Sequence, residues 1–558
     1  MPQRGGVMSK GAYHEPDIEL LGRTRIYTDA SYIDKDNLLT ILREAFTIHQ
    51  KNQIQIAYLL RYEKGVQPLK REKIIRPEID LRIVDNLANQ IVEFKTAYHW
   101  GNPITIVQRD DTSLPTEDSH DGIVYLGWLN DAVGMYSLDQ ELGRYVEITG
   151  IGYQMVIPNP YASYNDEYGV DEPIFKVSTL NPMYTFCVYR NDATQKKMMS
   201  VTYRETAEGD RYFTCFTDDF RYEVKNLVKY VDSDTLGWSF DETAGSANGM
   251  RNPLGRIPIV EYNRSYDMLG CFERQLSHLD ALNVEVSDFC NSVAQTTQEL
   301  WWMNDAELPI DPATGKAKEM RQGMWLITKT APNGNRPSVQ PISSTFDFGG
   351  VLENIMNTRN IILQKCYVPI QLEPGGGSTG ISLSMSAGWT AAEAVALKQE
   401  NVIRKSKMEL IALELIAIRK SGVVPADDPL MKLRITDLKL KFPRNKTFDL
   451  GTKANTLATL LNIGVYGADA FQLVELFGDA AQAWENSKDM ITMYQQNRVT
   501  GMSGKTSFPN NTGTGGSDGT KRLMSDNTDQ DVNSPSLGGY MPEYNYSRGG
   551  EIEAAKIR

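Results

Sequence analysis

The sequence predicts an α+β fold made of several units, and three observations carry that expectation. Helical and strand periodicities fall in separate blocks: helical patterns to about residue 145, period-two patterns to about residue 262, and helical patterns again to about residue 496. Two amphipathic patterns, 267–302 and 351–367, flank a short turn-rich segment, so the chain goes out along one helix and back along another. A third pattern, 390–420, holds no Pro and no Gly and is dominated by Ala, Leu, Glu, Lys, Arg and Ile. At 1.5 Å per residue it would reach roughly 45 Å.

In order, residues 1–35 carry Gly and Pro with little periodicity and read as an arm. Leu38, Leu39, Ile41, Leu42, Phe46 and Ile48, with Ile54, Ile56 and Leu59 beyond, predict one or two amphipathic helices. Ile83, Leu87, Ile91 and Phe94 predict a helix over 79–99, stopped by Trp100-Gly-Asn-Pro103. A further helix is expected over 123–145. The segments 144–157, 174–177, 184–189, 198–204, 211–217 and 223–231 are rich in Val, Tyr, Phe and Thr between Asn, Asp, Gly and Pro turns, which predicts an antiparallel sheet region. It closes at Asn252-Pro-Leu-Gly-Arg-Ile-Pro-Ile-Val-Glu-Tyr-Asn263.

In the 267–302 helix, Phe272, Leu276, Leu279, Leu282, Val286, Phe289 and Val293 form the packing stripe. Glu273, Asp280, Glu285 and Gln295 are expected on a polar face. Residues 304–346 read as short β-like segments, and Ile355, Ile362, Leu363 and Cys366 as the stripe of the returning helix. The next loop runs Gln371-Leu-Glu-Pro-Gly-Gly-Gly-Ser-Thr-Gly-Ile-Ser-Leu-Ser-Met-Ser-Ala-Gly388. Consecutive glycines lose too much backbone entropy to sit inside a helix or strand. After the long helix, 432–442 alternates like a strand, helices are expected over 451–462, 469–477 and 480–496, and the Gly/Ser/Asn-rich 501–558 tail is expected to be disordered.

The formal charge of −13 argues against a basic phosphate-gripping surface, without excluding DNA that slides. Cys187, Cys215, Cys271, Cys290 and Cys366 show no C-x-x-C pair, which points to reduced, buried thiols in a soluble chain made in a reducing cytoplasm. No apolar run of about eighteen residues suggests a membrane span. His14, His49, His99, His120 and His278 are isolated from metal-ligand spacings, no G-x-S-x-G elbow occurs, and Asp110-Asp111, Asp218-Asp219 and Asp427-Asp428 read as solvated turn carboxylates. The glycine loop fails as a phosphate cradle because Gly380 is followed by Ile381-Ser382 rather than Lys and Ser/Thr. No catalytic residue, metal or cofactor is therefore expected. What remains is a loop of glycines and small hydroxyls that would touch a polyanion weakly.

Four patterns in this order resemble the portal proteins of tailed bacteriophages, of the type found in long-tailed phages of Gram-positive hosts. Asn86-Leu-Ala-Asn-Gln-Ile-Val-Glu-Phe94 with Tyr98-His-Trp-Gly-Asn-Pro-Ile104 is similar to the family's helix ending in a Tyr-x-x-Gly-x-Pro turn. The 252–263 segment is similar to its Gly-x-Ile-Pro strand before the first stem helix. Leu279-Asp-Ala-Leu-Asn-Val-Glu-Val-Ser-Asp288 resembles its Leu-x-Asp-Ala-x-Asn…Ser pattern, and Ser378-Thr-Gly-Ile-Ser-Leu383 the segment at its channel loop. Ser382 departs from the family's usual Ala there, and Gly375 to Gly377 make the loop unusually glycine-rich.

The resemblance implies a portal-like subunit with an N-terminal arm at 1–35, a helical and β wing at 36–266, and stem helices at 267–303 and 347–367. It further implies a small α/β clip at 304–346, a channel loop at 368–389, a long wing helix and return strand at 390–449, a helical crown at 450–500 and a tail at 501–558. Such subunits form a ring, usually a dodecamer, at one capsid vertex of the virion, after assembly in the host cytoplasm. Double-stranded DNA would pass Gly375, Gly376, Gly377, Ser378, Thr379, Gly380, Ser382 and Ser384. The terminase large subunit and head-completion or adaptor proteins would meet the clip, where Lys316, Trp325, Asn333 and Arg336 stand, and the major capsid and scaffolding proteins are further implied partners. An acidic channel wall would keep phosphates moving. The rival expectations are another ring-forming connector, or a soluble enzyme whose pocket is lined by Tyr153, Tyr184, Tyr189, Tyr203 and Tyr212.

Overall fold

The computed structural model of the chain describes residues 22–69, 78–109, 116–165, 169–230, 249–296, 300–304, 313, 315, 338–342, 347–370, 388–444, 450–474 and 480–500. Two units are distinguished, 1–486 and 487–558, and of the second only residues 487–500 are described, all helical.

Strand β1 (Ile26–Thr28) lies within the stretch expected as an arm and pairs with the sheet region described below. Helix α1 (Leu38–Glu63) is one unbroken helix over the first apolar pattern. Helix α2 (Leu87–Trp100) starts eight residues after the expected 79, because 79–86 takes no regular secondary structure. After β2 (Thr105–Gln108), the expected 123–145 helix is two: α3 (Thr116–Val133) and α4 (Met135–Thr149), divided at Gly134, whose φ of 75° belongs to the left-handed region. The change to period two comes at Gly150, φ 82°, so 144–149 is helical and not strand.

Eleven strands follow: β3 (Ile151–Pro158), β4 (Ser163–Asn165), β5 (Gly169–Glu172), β6 (Phe175–Leu180), β7 (Thr185–Arg190), β8 (Lys197–Glu205), β9 (Arg211–Phe216), β10 (Phe220–Lys225), β11 (Lys229–Tyr230), β12 (Met250–Arg251) and β13 (Ile259–Asn263). The largest sheet has the order β1-β7-β8-β9-β10-β11 with β12 beside β10, and β1 joins it parallel to β7. Helix α1 covers this sheet: Phe46 meets Phe213 and Tyr203 edge to face, with ring centroids 5.1 and 5.5 Å apart. A second sheet, β13-β3-β6, packs with α3 and α4.

Helix α5 (Leu276–Thr296) is followed by the paired β14 (Leu300–Asn304) and β15 (Ser338–Ile342), then α6 (Phe348–Lys365). The helical turn before α5 begins only at Glu273, not at 267. Helix α7 (Trp389–Ser421) matches the expected 390–420 and ends at Gly422, φ 68°. Its second half buries Leu410, Ile411, Leu413, Leu415, Ala417 and Ile418 against α3, α4 and the second sheet. The expected 432–442 strand is mostly turn: α8 (Pro429–Lys432) starts at the Asp428 cap, a 3₁₀ turn spans Ile435–Asp437, and only β16 (Leu438–Lys441) is extended, pairing with β2. Helices α9 (Leu450–Asn462), α10 (Gly467–Val474) and α11 (Ala480–Thr500) complete the described chain.

Candidate functional site

The two ends of the 371–387 segment meet on α2. At one end, α6 closes with the Val368 amide donating to the Leu363 carbonyl at 2.9 Å and the Tyr367 amide to that of Gln364 at 3.0 Å. This is a Schellman closure, which normally takes glycine at the position Tyr367 holds with φ 56°. A tyrosine there is strained by roughly 1–2 kcal/mol. Its carbonyl is fixed from below: the ammonium of Lys95, a fully buried α2 residue, donates to it at 3.0 Å. Burial draws the Lys95 pKa down while Glu147 opposes the shift.

At the other end, Gly388 turns left-handed into α7, and a Cβ there would sit 3.9 Å from the Pro369 Cα. Trp389 packs beside the stacked Phe94–Tyr98 pair of α2, with centroids 5.9 and 5.8 Å away. Tyr98 Oη donates to Glu393 Oε2 at 2.5 Å, and Arg444 joins Glu393, at 2.8 Å, to Glu400. The segment thus leaves and returns at one point, on a platform built by the residues of the first sequence pattern. Gly375, Gly376, Gly377, Ser378, Thr379, Gly380, Ser382 and Ser384 themselves lie outside the described residues, as do Lys316, Trp325, Asn333 and Arg336.

Beneath the platform, Glu147 of α4 is fully buried and accepts from His99 Nδ1 at 3.0 Å, Arg264 Nε at 2.8 Å and Gln399 Nε2 at 2.5 Å. Burial alone would raise its pKa, but Arg264 and His99 hold it well below the usual carboxylate range. Burial lowers the pKa of His99 while Glu147 opposes the shift, and Nδ1 donates to the Glu147 carboxylate. This cluster ties α2, α4, the segment after β13 and α7 together. Sequence inspection missed it, because its members are far apart in the chain. Lys95 left a trace: a lysine four residues from Ile91 on an apolar helix face.

Of the four residues expected on the polar face of the 267–302 helix, Glu273 and Asp280 are buried, and Glu285 and Gln295 are half-buried. Asp280 accepts from Tyr62 Oη at 2.6 Å, and Glu273 pairs with Arg23 at 2.6 Å with both side chains buried. Asn283, Ser287 and Asn291 grip the 81–85 segment. The amides of Asp85, Ile83 and Leu81 donate to Asn283 Oδ1 at 2.8 Å, Ser287 Oγ at 3.0 Å and Asn291 Oδ1 at 2.8 Å. Four helical residues rise about 6 Å and two strand residues about 6.6 Å, so every fourth α5 side chain meets every second backbone amide. This seam is why 79–86 is not helical, and it assigns roles to Asn283 and Ser287 of the third sequence pattern, whose Asp280 is held by Tyr62 instead. Buried Asp280 and Glu273 therefore do not contribute to an acidic wall.

The sheet tyrosines do not form one pocket. Tyr203 packs with Tyr184 and Phe213, and Tyr153 and Tyr189 belong to a different core cluster, beside a cavity of about 10 Å³, room for one water at most. His49 is likewise structural: stacked 4.5 Å from Phe186, it donates from Nε2 to the Met183 carbonyl, and burial lowers its pKa to about 4. The five thiols are free; Cys187, Cys215 and Cys366 are buried and the other two half-buried.

The cluster under the platform uses its polar atoms to join α2, α4 and α7 where the 371–387 segment leaves and returns. A family model described as phage portal protein, SPP1 Gp6-like, matches residues 42–468, and the chain belongs to that family. Membership implies an oligomeric ring at the capsid portal vertex. No curated protein matches the chain. No helix among the described residues is long and apolar enough to cross a membrane.

Proposed function

We propose that this chain is the subunit of the ring, a dodecamer, that forms the channel through which double-stranded DNA is packaged and ejected. The observation that carries the reading is the family match over 42–468, with the 371–387 loop returning to a rigid base. In this reading α5 and α6 are the stem, 304–346 is the clip, α7 is the long wing helix and α9 to α11 belong to the crown. The loop from Gly375 to Ser384 touches DNA weakly through glycines and small hydroxyls, while its base stays fixed by Lys95, Trp389 and Glu393. The clip, with Lys316, Trp325, Asn333 and Arg336, receives the terminase motor during filling and head-completion proteins afterwards. ATP hydrolysis belongs to the motor.

Electron microscopy of the purified protein tests the reading: rings with an axial channel are expected, and a monomer or a closed particle would sink it. Shortening the 375–380 stretch should leave rings intact and impair packaging. Normal packaging by such rings would remove the loop from the mechanism.

A further inference from the structure

A cavity of about 780 Å³, a size usual for ligand pockets, opens between the start of α5, the end of α6 and the first half of α7, beside the loop base. Its lining is cationic: Arg264, Arg274, Lys365 and Lys398 face it, against one carboxylate, Asp267. Behind the wall stand a fifth cation, buried Lys95 on the Tyr367 carbonyl, and a second carboxylate, Glu147 on Arg264. The adjacent buried pair of Arg23 and Glu273 adds no net charge. A chain of formal charge −13 thus gathers five cations against two carboxylates at this one place.

The five differ in what they can reach. Arg264 and Lys95 are fixed by Glu147 and by the Tyr367 carbonyl. Arg274 meets Asp267 at 2.8 Å, but both side chains are more than half exposed, and a surface pair of this kind is worth little. Lys365 is exposed, its ammonium 2.7 Å from His278 Nε2. Lys398 is exposed and has no ion-pair partner among the described residues. Two turns on, along the same side of α7, exposed Lys405 continues the row. Separate, outward-reaching ammonium groups with a guanidinium among them suit a ligand whose negative charge is itself spread out, and a phosphodiester backbone is such a ligand.

We propose that Lys365, Lys398 and Arg274 take backbone phosphates of DNA at the mouth of this cavity, with Arg264 and Lys95 as fixed positive charge behind them. The assignment rests on the ring reading above for the presence of DNA beside the loop. It gives the loop base a salt-dependent hold that glycines and small hydroxyls do not supply. Anisotropy of a labelled short duplex, titrated with the full chain as rings and as separated subunits between about 50 and 200 mM salt, tests it. Binding should be indifferent to base sequence and weaken as salt rises. Both lysines are exposed, so Lys365→Gln/Lys398→Gln should keep the native urea midpoint. It should also flatten the slope of log affinity against log salt by at least about 0.9 for each lysine removed. Lys196→Gln, between β7 and β8 and outside the lining, should leave that slope unchanged. An unchanged slope in the double variant overturns the proposal and leaves the ring reading standing. Duplex binding that needs both lysines in a protein that forms no rings keeps the site and removes the ring reading. Inorganic phosphate at matched ionic strength should displace the duplex only weakly; displacement at low concentration gives the cavity to a free phosphate and overturns the DNA assignment. Binding present in separated subunits and lost in rings means that a neighbouring copy covers the cavity, which also overturns it.

Discussion

Helix α7 crosses two buried charge clusters, and they are built on opposite ratios. Near its start, Gln399 joins Glu147, a single carboxylate served by Arg264, His99 and Gln399. Farther along, Lys407 donates to both oxygens of Asp139, at 2.7 and 2.8 Å, and the same region buries a second carboxylate, Glu414. Beside Glu414 only Asn130 stands as a side-chain hydrogen-bond donor, and neither carboxylate oxygen is well aligned with a donor among the described residues. One ammonium thus faces two acids. Burial pushes the Glu414 pKa up to about 7, Lys407 opposes this, and Asp139 adds to it. Donor supply, not depth of burial, decides the state: Glu147 stays ionised under the loop base, whereas Glu414 is poised between neutral and charged.

The largest effect should come from unbalancing the first cluster. Arg264→Met leaves Glu147 buried without its cation and should cost about 3–5 kcal/mol in urea unfolding. Adding Glu147→Gln should recover most of that, since the pair acts as a unit; equal losses in single and double variants would show that Arg264 matters only by packing.

Next in size is a pH effect of opposite sign in the two clusters. Glu414 has a folded pKa near 7 against an ordinary value of 4.5, so its contribution is full below about 4.5 and is lost as pH rises toward and through 7. At about 1.4 kcal/mol per pKa unit the loss is on the order of 3 kcal/mol. Glu147, held below its ordinary value, contributes above about 4.5 and loses its contribution on acidification. Buried His49 and His99, with lowered pKa values, gain stability over part of the same range, so the test is a difference: between pH 4.5 and 8 the urea midpoint of the native chain should fall relative to that of Glu414→Gln. An unchanged slope in the variant would place the titration elsewhere.

Neither cluster was legible in the sequence, though the elements carrying them largely were. Helix α7 follows from thirty-odd residues without Gly or Pro between two glycines, and β7 to β10 from alternation between turns, because those signals are local. What failed was set by tertiary contact. Ile79 and Ile83 continue the apolar spacing of Leu87 and Ile91, yet the 79–86 backbone is taken by side chains from α5 some two hundred residues later. Asp280 and Glu273 read as solvated acids until Tyr62 and Arg23 cover them. The family patterns, by contrast, marked residues whose partners are distant: Asn283 and Ser287 on the seam, Phe94 and Tyr98 under the loop.

That seam lies between the two clusters in kind, being buried and polar but uncharged. Asn283→Ala or Ser287→Ala strands a backbone amide and should cost about 1–3 kcal/mol each. Faster hydrogen exchange should appear at Ile83 and Asp85 in the variants. If exchange there is unchanged, another partner holds the strap.

The smallest expected effect separates backbone strain from charge at the loop base. Tyr367→Gly keeps the carbonyl that Lys95 binds and removes a left-handed L-residue strain of roughly 1–2 kcal/mol. Glycine's extra unfolded-state freedom offsets about 0.5–1 kcal/mol of that. The half-exposed ring gives up little packing, so the urea midpoint should be level or slightly higher. Tyr367→Ala keeps the strain and also loses the ring, and it should be the less stable of the two. If instead the glycine variant is markedly weaker, the ring itself, through its wall of the cavity beside the loop, holds the α6 end in place, and the contrast between ionic bracing and backbone strain at this junction fails.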